Sequence, residues 1–337
     1  MTSFDKDVKK ALEHISDFYI PASDPLAGFM YPNSSAIREF PFLYEIASHL
    51  LSQCEEKTAN GYEEFVVRVA DRSYRGHRIE TIEGFVYALR RMPTSVPSLA
   101  DLGLDAALTR VLMSDTLNKG GLIIICGETG QGKSTTCAAT ISERMKQLGS
   151  FCLTVEDPPE MPLHGIHGTG RCLQTEVQSG NFAEAMRGAM RCFPTVNGSI
   201  LYVGETRDSE TAAEVLRIAM NGNLVFTTLH AQDVPSGLKR LMSLASTRMG
   251  EQEAADILAS VFKVGMHQTL EPTRPVPGKP PRKKLLTTFL LSHAPQTPVA
   301  NKIRKRELEA LGTDMQQQLA VLRNQGPSAL LKMWDVS

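Results

Sequence analysis

Residues Gly127–Ser134 read Gly-Glu-Thr-Gly-Gln-Gly-Lys-Ser, between the apolar run Leu122-Ile123-Ile124-Ile125-Cys126 and a helix-like stretch over Lys133–Leu148. That order of strand, glycine loop and helix is what a phosphate-binding loop requires. Gly127, Gly130 and Gly132 let the backbone fold tightly enough for its N–H groups to face phosphate oxygens, and the helix start adds partial positive charge. Thr129, Gln131 and Thr135 belong to the same turn and count as binding residues with the glycines. Lys133 supplies a full positive charge to the phosphates, and the Ser134 hydroxyl is a candidate ligand of Mg²⁺. The motif predicts a nucleoside triphosphate site and commits this stretch to a strand–turn–helix unit.

The flanking pattern agrees. From about residue 98, apolar runs at Leu122–Cys126, Phe151–Val155, Ser199–Val203 and Leu224–Thr228 alternate with helix-like stretches at Lys133–Leu148, Phe182–Cys192 and Ser209–Met220. Such alternation predicts an α/β domain with a mostly parallel sheet covered on both faces. Ile257, Leu258, Val261 and Gly265 recur at helical spacing, so a core-facing helix is expected over Glu251–Leu270. Lys284–Leu291 reads as a further strand, and the tail from Val299 to Trp334 as helices broken at Gly326-Pro327.

Residues 1–97 read differently, as a small α+β domain. Asp5–Ile15 and Ile37–Gln53 have amphipathic helical patterns, and Phe65–Val69 and Phe85–Leu89 read as strands. Pro93 and Pro97 mark a connector and a hinge between this domain and residues 98–337. Glu271–Lys284 crowds prolines with Arg274, Lys279, Arg282, Lys283 and Lys284, which predicts a surface loop, either a solvated linker or a docking or anionic-lipid contact.

Formal net charge is −1, so no global attraction to nucleic acid or to an anionic membrane is expected. The apolar runs are too short to span a bilayer, and the first residues carry charges where a secretory signal has its apolar core. A cytoplasmic location is the expectation. No two of the cysteines at 54, 126, 137, 152, 172 and 192 are spaced Cys-x-x-Cys, and buried reduced thiols are expected. His164, His167 and Cys172 could suggest a metal, but histidines three apart in a glycine-rich loop read more simply as polar loop residues.

A triphosphate site also needs carboxylates or polar groups to place the metal and water. Thr154-Val155-Glu156-Asp157-Pro158-Pro159-Glu160 stands at the carboxyl end of a predicted strand, the end that faces the ligand crevice in open α/β sheets. Leu201-Tyr202-Val203-Gly204-Glu205-Thr206-Arg207-Asp208 is an apolar strand ending in glycine and a carboxylate, as a Walker B element does, with glutamate where aspartate is more usual. Thr227-Thr228-Leu229-His230-Ala231 closes a third strand with a histidine that could sense the γ-phosphate.

Together these segments resemble the type II/type IV secretion ATPase superfamily over about residues 65–310. Gly127–Ser134 matches its Walker A box, Thr154–Glu160 its Asp box, Gly204-Glu205 its Walker B region and Thr227–Ala231 its His box. Within it, the chain looks most like the short pilus-retraction ATPases and their relatives in type IVB secretion and conjugation. The resemblance implies a P-loop (RecA-like) domain preceded by a PAS-like one. It implies Glu160 as general base, Glu205 acting through Mg²⁺, Lys133 on the phosphates and His230 as sensor. Arg68 and Arg90 would reach the nucleotide from the N-terminal domain, with Arg91 competing for the role of Arg90. Arg207 would also approach the site, as could Arg187 and Arg191, which share a helix face. Two departures stand out: Pro159 replaces an aliphatic residue of the Asp box, and residues 1–60 contain no match to the family's Ala-Ser-Asp helix.

The activity so implied is ATP hydrolysis coupled to mechanical work by a ring, of six copies, at the cytoplasmic face of the bacterial inner membrane. Its partner would be a membrane platform protein of a type IV pilus or secretion machine, with no direct nucleic-acid contact. Conjugative or type IVB effector transfer is the nearest alternative. A nucleotide-dependent interaction switch of low turnover is the alternative from another class.

Overall fold

The structure, a computed structural model, describes residues 12–177, 182–194, 199–274 and 283–334. The chain forms two compact units. The first takes residues up to Ser95 together with Asp157–Pro162 and the residues around Glu176; the second takes Val96–Glu156, Leu163–Thr175 and the chain from Ala183 on.

The first unit is a six-stranded sheet with a helix against it. Its strands are β1 (Asp17–Pro21), β2 (Phe29–Tyr31), β3 (Ser35–Ala36), β4 (Glu64–Val69), β5 (Arg72–Thr81) and β6 (Gly84–Arg91), in the order β3-β2-β1-β6-β5-β4 with antiparallel pairing. Alternation sets the faces: Phe18 and Ile20, Phe65 and Val67, and Tyr87 and Leu89 point into the core. The helix Tyr44–Ala59 contributes Ile46, Ala47, Leu50, Leu51 and Cys54 to it. Each large apolar side chain removed from water this way contributes about 1.5–3 kcal/mol.

The helix starts later than Ile37. Residues Ile37–Glu39 and Pro41–Leu43 form short 3₁₀ turns instead. Pro41 has no N–H to donate and disfavours helical backbone at Phe40 before it, so the helix begins after it. Most of the helix expected over Asp5–Ile15 lies outside the described residues.

The second unit carries an eight-stranded mixed sheet. Its strands are β7 (Gly121–Cys126), β8 (Phe151–Glu156), β9 (Gly165–His167), β10 (Gly170–Glu176), β11 (Ile200–Val203), β12 (Leu224–Leu229), β13 (Phe262–Pro272) and β14 (Lys283–Leu291). Their order is β14-β13-β7-β12-β11-β8-β10-β9, and β13, β7, β12, β11 and β8 run parallel. Every residue of β7, β11 and β12 is buried, as strands covered on both faces must be. The helices Lys133–Leu148, Ser209–Met220, Val234–Met249 and Glu251–Val261 belong to this unit. After them come Pro298–Arg304, Leu311–Gln325 and Pro327–Trp334, with Gly326 in the positive-φ region between the last two.

The helix expected over Glu251–Leu270 is a correction. It ends at Val261, and Phe262–Pro272 is strand β13, parallel to β7 and antiparallel to β14. Phe262, Val264, Met266 and Gln268 are buried while Lys263, His267 and Thr269 are only partly so, a period of two that the helical spacing of the preceding residues hides. The same hairpin takes up both ends of the loop expected over Glu271–Lys284, whose residues 275–282 lie outside the described set. Cys192 is exposed, against the expectation of burial; the other five cysteines are buried.

Candidate functional site

In the second unit the parallel strands end along one edge, and the candidate groups stand there. β7 ends at Cys126, and the chain turns through Gly127–Gly132 into the helix Lys133–Leu148. Gly127, Gly130 and Gly132 have φ of 150°, 76° and 78°, in the region that favours glycine. At Gly127 a Cβ would come 2.6 Å from the carbonyl oxygen of Gln268, so a side chain there is also excluded by space. Lys133 is buried, and its ammonium donates to the carbonyls of Gly127 at 2.9 Å and Glu128 at 2.8 Å. The charge is thereby folded back over the loop, on a residue whose own N–H lies in the first turn of the helix. Ser134 and Thr135 are partly buried beside it, and Thr129 and Gly130 are exposed at the loop tip. Burial pushes the Cys126 thiol beneath the loop up to about 12, which keeps it protonated and unreactive.

Glu205, Arg207 and His230 come together. Glu205 follows β11, and its carboxylate lies 2.8 Å from the Arg207 guanidinium and 3.3 Å from His230 Nε2 at the end of β12. Its side chain is only 14% exposed, whereas that of Arg207 is 65% exposed. Backbone and hydroxyl bonds brace the turn that presents Glu205. Gly204 N–H donates to Val155 O, Thr206 N–H to Thr228 O, and the Thr228 hydroxyl to Gly204 O at 2.7 Å. Asp208 caps the next helix by accepting from Thr211 N–H at 2.9 Å, which fixes the chain just past Arg207.

Glu160 is described with the first unit. It belongs to the Asp157–Pro162 segment of the first unit, where its carboxylate lies 3.0 Å from the Arg75 guanidinium, which also pairs with Glu64. Arg90 and Arg91 differ sharply. Arg90 is 79% exposed and pairs with Asp17 at 3.0 Å, while Arg91 points to the other face of β6 and donates to the carbonyls of Leu12 and Glu13. Arg68 is exposed on β4, and its backbone exchanges two hydrogen bonds with the Gln53 side chain. In the second unit, Arg187 lies 3.6 Å from Glu214, and Arg191 is exposed. His167 uses both ring nitrogens, on the Ser142 hydroxyl and the Leu163 carbonyl, and His164, exposed just before β9, accepts at Nδ1 from the Gln174 N–H.

Two polar groups received no role of their own in the sequence, Glu156 as one residue of the Asp box and Gln268 not at all. Glu156 is buried at the end of β8 and accepts from Gln174 at 2.9 Å. Gln268 on β13 is fully buried and donates to the Gln131 carbonyl at 2.6 Å. A glutamine on the inward side of an alternating run was the available signal.

A family model for type II/IV secretion system proteins matches residues 64–274. The type IV pilus ATPase PilU of Pseudomonas aeruginosa is 32% identical over 228 residues, 66% of this chain and 54% of that protein. An uncharacterized Escherichia coli protein, YggR, is 35% identical over 188 residues, 54% of each chain. The chain thus spans about half the length of these curated relatives. The crystal structure of the pilus retraction motor PilT with bound ADP superposes with a TM-score of 0.72 at 27% identity, covering 94% of this chain and 90% of that one. The Legionella pneumophila ATPase DotB shares the fold, with a TM-score of 0.67 at 23% identity over 98% of this chain and 90% of its own.

Proposed function

Since the chain belongs to the type II/IV secretion system protein family, we propose that it is an ATP-hydrolysing motor that works as a ring of six copies. It serves a type IV pilus or a type IV secretion machine through an inner-membrane platform protein, from the cytoplasmic side. Among the described residues no helix is long and apolar enough to cross a membrane, so membrane attachment in this reading comes through the partner. We read residues 98–337 as a RecA-like P-loop domain and residues 1–97 as a PAS-like one. The parallel sheet of the second unit and, in the first, the antiparallel sheet with the helix Tyr44–Ala59 support that reading.

The observation that carries the proposal is the edge of the parallel sheet. It holds a buried lysine in a glycine loop on β7, with a carboxylate and a histidine in contact at the ends of β11 and β12. Loop N–H groups and Lys133 bind and orient the phosphates as donors already fixed in place. The Ser134 hydroxyl and the Glu205 carboxylate are hard oxygen donors of the kind Mg²⁺ takes, and they are the residues that would hold it. When bound, Mg²⁺ supplies neutralisation of charge on the phosphate oxygens. His230 and Arg207 hold the Glu205 carboxylate in place, and His230 reports the terminal phosphate. Glu160 is assigned the orientation of water and Arg90 the stabilisation of developing charge, on their match to the family's motifs, and Arg68 a part in nucleotide binding from the N-terminal domain. Phosphoryl transfer to water depends mainly on such positioning and charge.

Hydrolysis of ATP by the purified protein, with its mass followed by light scattering with and without nucleotide, tests the reading. The expected result is a nucleotide-supported ring whose turnover disappears in Lys133→Ala. Normal turnover in that variant would overturn the phosphate-loop assignment. A monomer that binds nucleotide without hydrolysing it, even with its membrane platform added, would replace the motor with a switch.

A further inference from the structure

We propose that Gln268, outside every motif that marks the site, is a positioning residue for nucleotide binding: it orients the peptide that presents the Gly132 N–H to phosphate. The inference rests on the reading of Gly127–Ser134 as a phosphate-binding loop.

Two bonds tie β13 to the loop. Gln268 Nε2 donates to the main-chain carbonyl of Gln131 at 2.6 Å, and the N–H of Leu270 donates to the Gln131 side-chain oxygen at 2.6 Å. Chemistry fixes both amide orientations. A carbonyl can only accept, so the nitrogen of Gln268 must face it; an N–H can only donate, so the oxygen of Gln131 must face Leu270. The strand therefore grips Gln131 by its backbone and its side chain at once.

That grip has a consequence one atom further on. In a planar trans peptide the carbonyl of one residue and the N–H of the next point in opposite directions. With the Gln131 carbonyl drawn toward β13, the Gly132 N–H is turned away from β13. Gly132 adopts φ 78°, which glycine takes without steric cost. Backbone N–H groups at such a turn, just ahead of a helix, form the concave donor set that anions occupy. The start of the loop meets the same residue, because Gly127 packs against the Gln268 carbonyl too closely for any Cβ. One strand residue thus touches both ends of the glycine loop.

Burial separates this role from packing. Gln268 is fully buried, and its own side-chain oxygen has no hydrogen-bond partner. An amide with an orphaned oxygen costs folding free energy that an isosteric methionine would not. The return on that cost is the orientation of one peptide in the loop.

The test compares wild type, Gln268→Met and Gln268→Glu for binding of a fluorescent ADP analogue with Mg²⁺, alongside thermal unfolding and turnover at saturating ATP. Gln268→Met keeps the shape and removes the donor. It should weaken nucleotide affinity about tenfold, as loss of one buried hydrogen bond does, while saturated turnover changes far less. Gln268→Glu can donate only when protonated, and burial raises its pKa above the ordinary value of about 4.3. Its affinity relative to wild type should therefore recover at about pH 5.5 and fall at about pH 8. A purely structural role would lower stability without that pH-dependent rescue of binding. If Gln268→Met unfolds like wild type and binds within about twofold of it, or if the Gln268→Glu ratio is the same at both pH values, Gln268 does not position the loop. Should Gln268→Met fail to fold, the Gln268→Glu ratio alone decides. Absence of binding by wild type itself would instead remove the phosphate-site reading.

Discussion

His230 and Glu205, carried past the ends of the neighbouring parallel strands β12 and β11, sit 3.3 Å apart, Nε2 to Oε1. The strand register sets the pair. Val203 is level with Thr227, so the residues that follow each strand emerge side by side at the same edge. Arg207 holds the other carboxylate oxygen at 2.8 Å, leaving Glu205 anchored on both sides.

Glu205→Gln keeps the shape and one acceptor oxygen but removes the charge. It should preserve nucleotide binding and lower turnover on the order of 100-fold, the scale on which a single electrostatic group acts at a reacting centre. His230→Gln should lower turnover less, about tenfold, because Arg207 still orients the carboxylate. Steady-state hydrolysis with a separate nucleotide titration distinguishes lost binding from lost chemistry. Unchanged turnover in Glu205→Gln would exclude this pair from the reaction.

Arg90 and Arg91 occupy successive positions on β6 and therefore opposite faces of the sheet. Arg91 is tied to the Leu12 and Glu13 carbonyls, and Arg90 projects into solvent from its bond to Asp17. Arg91→Ala should destabilise the protein by about 1–2 kcal/mol, the value of charge-assisted bonds that are partly exposed. Arg90→Ala should leave stability within about 0.5 kcal/mol and lower turnover of the assembled protein. Urea unfolding paired with hydrolysis checks both halves; a stability loss confined to Arg90→Ala would reverse the assignment.

The contrast between these two arginines also shows where sequence reading stops. Position in the motif does not separate the two, and only the register of β6 puts them on opposite faces of the sheet. The glycine loop and the fully buried strands β7, β11 and β12 were legible because local chemistry and burial on both faces write the same apolar run. β5 was not, since Arg72–Thr81 places only Tyr74 and Gly76 in the core and presents charge along the rest. β13 was misread because helical spacing up to Val261 carries over into an alternating segment. Its clamp on the loop joins residues 137 positions apart, a contact with no local signature.

Burial holds the His267 and His293 imidazoles below their ordinary value of 6.5. Below that value the unfolded chain takes up protons that the folded chain refuses, and stability rises with pH wherever the unfolded state binds more protons. Stability should therefore fall as pH drops from about 6.5 through the lowered folded values. Exchange of both residues, His267→Gln with His293→Gln, should flatten that part of the profile. Urea midpoints taken across the range decide it; an unchanged slope in the double variant would place the acid sensitivity in other groups.

Glu160 lies 3.0 Å from Arg75, which also holds Glu64, and about half of its side chain is exposed. Ion pairs this open to water contribute about 0–1 kcal/mol, so neither Arg75→Ala nor Glu160→Gln should disturb folding by more than that. Their effects on hydrolysis should nevertheless differ. Glu160→Gln removes the group assigned to water and should lose most turnover, about 100-fold or more, at near-normal nucleotide affinity. Arg75→Ala releases that group without removing it, so its turnover should stay within about tenfold of wild type. Single-turnover hydrolysis on preformed nucleotide complexes compares the chemical step directly. Equal losses in the two variants would mean that the Arg75–Glu160 pair matters as a structural unit, and normal hydrolysis in Glu160→Gln would remove Glu160 as the base.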